Sequence, residues 1–371
     1  MRGEPVRPIV IAAGGTGGHF FPAEALASEL LRRGHRVALL TDSRSGGERS
    51  AVFAGREAFV LPGAGIAGRG ALRGAAALLA LARGTAEARR VLARLQPAVL
   101  VGFGGYPSVP PVVAARLLRR RPRVILHEQN AVLGRANRLL ARWADGLALG
   151  VADTSAVPED KPTVVTGNPV RPEIAALAGT PYVPPEPGAP LRVLVTGGSQ
   201  GARIFSTALP AALGRLPATL RQRLRLSQQC RKEDLERVRA TYAGLGIEAE
   251  LSPFFGDMAQ RLMSADFVIA RAGASTVAEL AIVGRPALLV PFPHAIDNHQ
   301  LANARAIDAL VIEQSDFERR PDVLAEKLRP RLESPDWLMI AADAIARHAI
   351  PDAASRLADL VESALAREVT V

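Results

Sequence analysis

Twice along the chain an apolar run breaks abruptly into glycines and then into a helical pattern. Residues 8–13 run into GGTGGH (Gly14 to His19) with a helical pattern over 22–33, and residues 191–196 run into GGSQGAR (Gly197 to Arg203) with another helical stretch behind it. The two turns stand 183 residues apart in a chain of 371. A glycine turn between a parallel strand and a helix brings backbone N–H groups and the positive end of the helix dipole close to a phosphate or sugar oxygen. Two such units predict an α/β protein of two Rossmann-like domains. Strand and helix patterns continue to alternate in both halves, with further strands expected at 36–41, 98–102, 123–127 and 163–166, then at 267–270 and 287–291. The sheets are expected to be parallel and doubly wound, with ligands at the carboxyl ends of their strands in a cleft that the two domains share. Five prolines in residues 181–190 mark an exposed segment near the boundary. The domains are expected over 1–170 plus 350–371 and over 171–349.

Charge is distributed unevenly. Residues 1–170 hold 23 Lys and Arg against 12 Asp and Glu, whereas residues 171–371 hold 23 against 24. Only Lys161, Lys232 and Lys327 are lysines, a bias that base composition explains; base composition does not explain the one-sided placement. A basic first half fits an anionic partner surface, either nucleic acid or membrane headgroups. From Ile66 to Leu95, apolar Ile66, Leu72, Leu78, Leu79 and Leu81 interleave with Arg69, Arg73, Arg83, Arg89 and Arg90, and residues 116–123 add five arginines. Such a face either rests on lipid or is an ordinary amphipathic core helix with solvated arginines. Against nucleic acid stand an aromatic content of 4% and the lack of a recognised binding module.

The longest later apolar stretch, 75–82, is far too short to span a bilayer, and glycines interrupt the first apolar run before it resembles a signal peptide. One cysteine, Cys230, excludes an intramolecular disulfide and fits a reducing compartment.

The candidate chemistry lies where strands end. HEQN (127–130) follows a buried strand, and four polar side chains there need a ligand, water or one another. His19, after the first turn, has the pKa range of a general base. Asp42 ends the second strand, where nicotinamide enzymes often keep a ribose-binding acid, although Phe20 occupies the place of the third glycine of a dinucleotide fingerprint. In ARAGAST (270–276) the small residues and hydroxyls suit a diphosphate, or else Ser275 or Thr276 caps a helix, and Glu279 suits ribose hydroxyls. PFPHAIDNHQ (291–300) suits sugar hydroxyls; His294, Asp297 and His299 raise a metal as the alternative, without the spacing of a helix-borne site.

Taken in order, GGTGGHFFPA, GFGGYPS, HEQNAVLGRANR, TGNPVR, GGSQGAR, RAGASTVAEL and PFPHAIDNHQLANA resemble the motifs of the MurG family of bacterial peptidoglycan N-acetylglucosaminyltransferases across nearly the whole chain. The resemblance implies a GT-B fold whose C-terminal helix crosses back to the first domain. It implies inverting transfer from UDP-N-acetylglucosamine to the C4 hydroxyl of the muramoyl sugar of lipid I, giving lipid II, with no metal and no cofactor. It implies a peripheral place at the cytoplasmic face of the cell membrane. By motif position Thr16, Gly17, Gly18 and Asn130 face sugar or acceptor, and Arg171 approaches the nucleotide-sugar. Ser199, Gln200 and Gly201 hold the diphosphate, and Phe255 borders the uracil. Ala274, Ser275, Thr276, Val277, Ala278 and Glu279 hold nucleotide and ribose, while His299 and Gln300 contact the donor sugar. Some members carry two glutamines where this chain has His299–Gln300. For the base, His19 stands first and Glu128 second.

Overall fold

The computed structural model describes residues 7–15, 17–43, 50–62, 71–198 and 203–369, with backbone alone for 71–76 and 367–369. Thr16, Ser199, Gln200 and Gly201 lie outside the described residues. The chain forms two compact units, Met1–Arg171 with Asp352–Val371, and Pro172–Pro351.

Among the described residues of the first unit, β1 (Ile9–Ala12), β2 (Val37–Asp42), β3 (Ala58–Leu61), β4 (Val99–Gly102), β5 (Arg123–Glu128), β6 (Gly146–Leu149) and β7 (Thr163–Val165) form a parallel sheet in the order β3-β2-β1-β4-β5-β6-β7. Strand order reverses between β1 and β4, the place where such sheets bind ligands. Alternation along β1 sends Ile9 and Ile11 to one face and Val10 and Ala12 to the other. On the first face lie α1 (Gly17–Arg32) and the C-terminal helix Ala353–Val369, which buries Leu357, Ala358 and Val361 there. On the second lie α2 (Ala71–Leu95) and α3 (Gly105–Arg116). Arg33 ties the C-terminal helix to α1, donating to Asp359 at 2.6 Å and to Glu362 at 2.7 Å. The guanidinia of Arg32 and Arg33 beside Glu29 hold its carboxyl down to about 2.

The second unit repeats the plan. Strands β8 (Leu191–Thr196), β9 (Leu224–Gln229), β10 (Glu248–Ser252), β11 (Phe267–Ala270), β12 (Ala287–Leu289) and β13 (Leu310–Val311) are parallel in the order β10-β9-β8-β11-β12-β13. Two Rossmann-like parallel sheets are what the GT-B class consists of. Gly15 and Gly198 repeat the motif at the backbone level, with φ of 81° and 77°, a left-handed conformation that glycine adopts without strain.

Candidate active site

In the first unit the glycine turn is braced from beneath. The Gly15 N–H donates to Asp42 Oδ1 at 3.0 Å, and a Cβ on Gly14 would sit 2.7 Å from that oxygen. Asp42 is buried under the turn at the end of β2, so its carboxylate serves the turn rather than a ribose. This corrects the nicotinamide alternative. Helix α1 begins at Gly17, five residues earlier than the sequence pattern, so Gly17, Gly18 and His19 form its first turn. Pro22 sits inside that helix; it was expected at the start, the position proline favours.

The polar end of β5 is satisfied mostly by itself. His127, Glu128 and Gln129 are all buried, and Asn130 is half-buried. Glu128 Oε1 accepts from the Asn130 backbone N–H at 3.1 Å and from its side-chain amide at 2.9 Å. Glu128 Oε2 accepts from the Gly134 N–H and from Asn137 Nδ2, each at 2.9 Å. Four donors fill the lone-pair directions of that carboxylate, leaving it little capacity to take a proton from a substrate. Glu128 therefore organises the loop after β5, which orders the two candidate bases in favour of His19.

His19 is half-buried, and its Nδ1 lies 2.7 Å from Gln129 Oε1. Gln129 Nε2 lies 3.0 Å from the His127 carbonyl oxygen and 2.9 Å from His127 Nδ1. His127 Nε2 lies 3.0 Å from the Gly167 carbonyl oxygen. Burial pushes the His127 imidazole down to about 4, against partial compensation from the Gly167 carbonyl and Glu128, so the ring is neutral near pH 7. Gly105, at φ 64°, lets the His19 ring lie against backbone, since a Cβ there would come within 3.2 Å of His19 Cδ2. Two buried groups at the same end of the sheet, the Tyr106 hydroxyl and the Asn168 amide, have no hydrogen-bond partner. The Arg171 guanidinium lies 5.7 Å from the centre of the Phe21 ring, at cation–π range.

In the second unit an amide takes the place that Asp42 has in the first. Gln229, at the end of the strand beside β8, accepts through Oε1 from the Gly197 N–H at 3.2 Å and from Thr196 Oγ1 at 3.1 Å. The first turn thus stands over a negative charge and the second over a neutral group.

Helix Ala274–Val283 starts at Gly273 with no side-chain cap, so the expected capping by Ser275 or Thr276 does not occur. Its first-turn N–H groups lack helical partners. The Ser275 hydroxyl is buried there without a partner, and Ala274, Thr276, Ala278 and Glu279 are half-buried while Val277 is in the core. Behind the helix start lies a residue that sequence reasoning passed over. Buried Arg271 donates to the Val290 carbonyl at 2.9 Å, to the Pro291 carbonyl at 3.2 Å and to Gln314 Oε1 at 2.6 Å. Desolvation lowers its pKa to about 10, which leaves it charged near pH 7. Its only sequence signal is a cation at a strand end followed by small residues.

The loop after β12 turns through left-handed Asp297 and Asn298, at φ 52° and 55°, and presents His299 and Gln300 at the start of helix His299–Arg305. Gln300 Oε1 accepts from the Phe292 N–H at 2.9 Å, which points its NH2 outward as a donor. His299 Nδ1 donates to the Ile296 carbonyl at 2.8 Å, leaving Nε2 as an acceptor. Among the described residues no three His, Cys, Asp or Glu side chains are grouped to hold a metal ion. Phe255 is buried with the Arg261 guanidinium 3.9 Å from its ring centre; Phe254 beside it exposes 74% of its surface.

Residues 9–149 match the glycosyltransferase family 28 N-terminal domain, and residues 192–357 match the family 28 C-terminal domain. A relative from Granulibacter bethesdensis is 58% identical over 98% of this chain and 95% of its own. One from Acidiphilium cryptum is 52% identical over 100% of both. Both carry the name UDP-N-acetylglucosamine–N-acetylmuramyl-(pentapeptide) pyrophosphoryl-undecaprenol N-acetylglucosamine transferase. The crystal structure of Acinetobacter baumannii MurG superposes with a TM-score of 0.76 at 31% identity, covering 96% of this chain and 99% of that one. The kitacinnamycin glycosyltransferase, at 19% identity and a TM-score of 0.67 over 96% of this chain and 99% of its own, shares the fold.

Proposed function

The chain belongs to glycosyltransferase family 28, and from that premise we propose that it transfers N-acetylglucosamine from UDP-N-acetylglucosamine to N-acetylmuramyl-(pentapeptide) pyrophosphoryl-undecaprenol, lipid I, giving lipid II. The observation that carries this reading is the identity of 52–58% over almost the full length to relatives bearing that enzyme's name. The geometry supports it by separating two kinds of site. The second unit offers a neutral glycine turn, an uncapped helix start with the Ser275 hydroxyl, and donors such as the Gln300 amide, which fit a sugar diphosphate. The first unit offers His19 and the self-satisfied HEQN end of β5, which fit proton removal from an acceptor hydroxyl.

The reaction is a single displacement. The acceptor C4 hydroxyl oxygen bonds to the anomeric carbon as His19 Nε2 takes its proton. The bond from that carbon to the diphosphate oxygen breaks, and UDP leaves with the electron pair. One displacement inverts the anomeric centre and yields a β linkage. Charge building on the leaving diphosphate is met by the helix start at Gly273–Thr276.

The lipid acceptor gives the basic half a role at the cytoplasmic face of the cell membrane. On α2, Ala88, Val91 and Leu92 pack into the core, whereas Leu78 and Leu79 are 68% and 53% exposed. Leu117, just past α3, is 57% exposed, with exposed Arg116, Arg119 and Arg120 around it. Among the described residues no helix is long and apolar enough to cross a membrane. Exposed apolar side chains together with exposed arginines suit an anionic bilayer surface, each arginine contributing about 1 kcal/mol.

Vesicles carrying lipid I and anionic phospholipid test both parts together. The protein is expected to sediment with them and, given UDP-N-acetylglucosamine, to form a β-1,4-linked disaccharide by NMR. Replacing both Arg119 and Arg120 by Gln weakens vesicle binding about 10–30-fold, the equivalent of about 2 kcal/mol. An α linkage rejects single displacement, and equal binding to neutral and anionic vesicles rejects the membrane face.

A further inference from the structure

We infer that Gln129 and His127 form a one-way hydrogen-bond relay that fixes the tautomer of His19, making Gln129 a positioning residue for the base. This rests on the reading of His19 as that base. The direction of every bond follows from groups that have no choice. The Gly167 carbonyl only accepts, so His127 Nε2, 3.0 Å away, carries the proton. Burial keeps that ring neutral, and its Nδ1 is therefore an acceptor. Gln129 Nε2 faces both this nitrogen and the His127 carbonyl oxygen, at 2.9 and 3.0 Å, so it is the amide nitrogen and both its hydrogens are used. The Gln129 oxygen then faces His19 Nδ1 at 2.7 Å and accepts the proton of that nitrogen. What remains on His19 is Nε2, whose lone pair can take the acceptor proton.

A histidine side chain free in water favours the opposite tautomer, with the proton on Nε2, which cannot take a second proton there. The relay removes that choice before substrate arrives. After transfer, the His19 cation still donates through Nδ1 to the Gln129 carbonyl dipole, which stabilises the product charge. The titratable groups facing the relay are Glu128 and His19 itself, as neighbours of His127.

The wild-type protein tests the assignment without any variant. Long-range proton–nitrogen NMR correlation distinguishes the two tautomers, with the His19 signal identified by its loss in His19→Gln. The proton is expected on Nδ1. In Gln129→Leu the His19 signal is expected to move toward the Nε2-protonated form. The same substitution lowers kcat about 10–100-fold and leaves KM for UDP-N-acetylglucosamine within about 3-fold. Gln129→Met serves equally if the leucine variant does not fold. A His19 proton on Nε2 in the wild type overturns the relay, as does an unchanged tautomer in folded Gln129→Leu. Absence of transfer by the wild-type protein counts instead against the transferase reading and leaves the tautomer result standing.

Discussion

His19→Ala is expected to lower kcat for transfer by about 10²–10⁴-fold, the range spanned by a lost general base. KM for UDP-N-acetylglucosamine is expected to stay within about 3-fold, because the lost interaction belongs to the transition state and not to donor binding. The reasoning is local. His19 sits in the first turn of α1, its ring lies against the Gly105 backbone, and its Nδ1 is held by Gln129. The other carboxylate or imidazole groups at that sheet end are committed, Glu128 to four donors, Asp42 to the Gly15 N–H and His127 to Gly167 and Gln129. Glu128→Gln should therefore act first on stability, since an amide nitrogen must then face at least one of those donors. Steady-state kinetics and thermal melts of the two variants separate the roles. A folded Glu128→Gln protein with the larger loss of kcat would exchange them.

Arg271→Met is expected to destabilise the second unit by about 3–5 kcal/mol, because it strands acceptors in a buried site at about 1–3 kcal/mol each. The Val290 and Pro291 carbonyls lead directly into the loop that bears His299 and Gln300, and Gln314 lies beyond it. For a unit of this size the loss corresponds to a fall in Tm of about 10 °C. Trp337, packed at 6.4 Å between ring centres against Phe267 of β11, reports that unit by fluorescence once Trp143 is replaced by Phe. KM for UDP-N-acetylglucosamine should rise by about 10-fold or more at temperatures where the variant is folded, since the loop loses its anchor. Unchanged melting and unchanged KM would show that Arg271 does not brace the donor loop.

The parts of the fold that were legible in sequence are those where one force dominates. Strands β1 and β11 are continuous apolar runs buried on both faces, and β8 departs from that pattern only at exposed Arg192 and at Thr196, so the pattern alone places all three. Strands β9 and β10 were not legible. LRLSQQ and EAELS alternate apolar and polar residues near an open edge of the sheet, where a loop would show the same composition. The start of α1 was hidden because two glycines and an interior proline are poor helix formers, and the packing of Phe20, Ala23 and Leu26 on the sheet overrides them. At the site, HEQN was legible as polar side chains in an apolar setting, but not as a network. Which oxygen meets which donor depends on Gly134, Asn137 and Gly167, contributed by segments up to 40 residues away. Asp42 illustrates the opposite failure, a position that fits a familiar motif while its carboxylate points under the turn.

The most direct measurement of the central claim is release of UDP from UDP-N-acetylglucosamine by the purified protein, with and without a lipid I analogue and with EDTA throughout. The account predicts release that requires the acceptor, persists in the chelator and matches disaccharide formed mole for mole. Nucleotide-sugar binding without acceptor-dependent release would contradict the proposed acceptor, and failure to bind the nucleotide-sugar at all would contradict the transferase assignment.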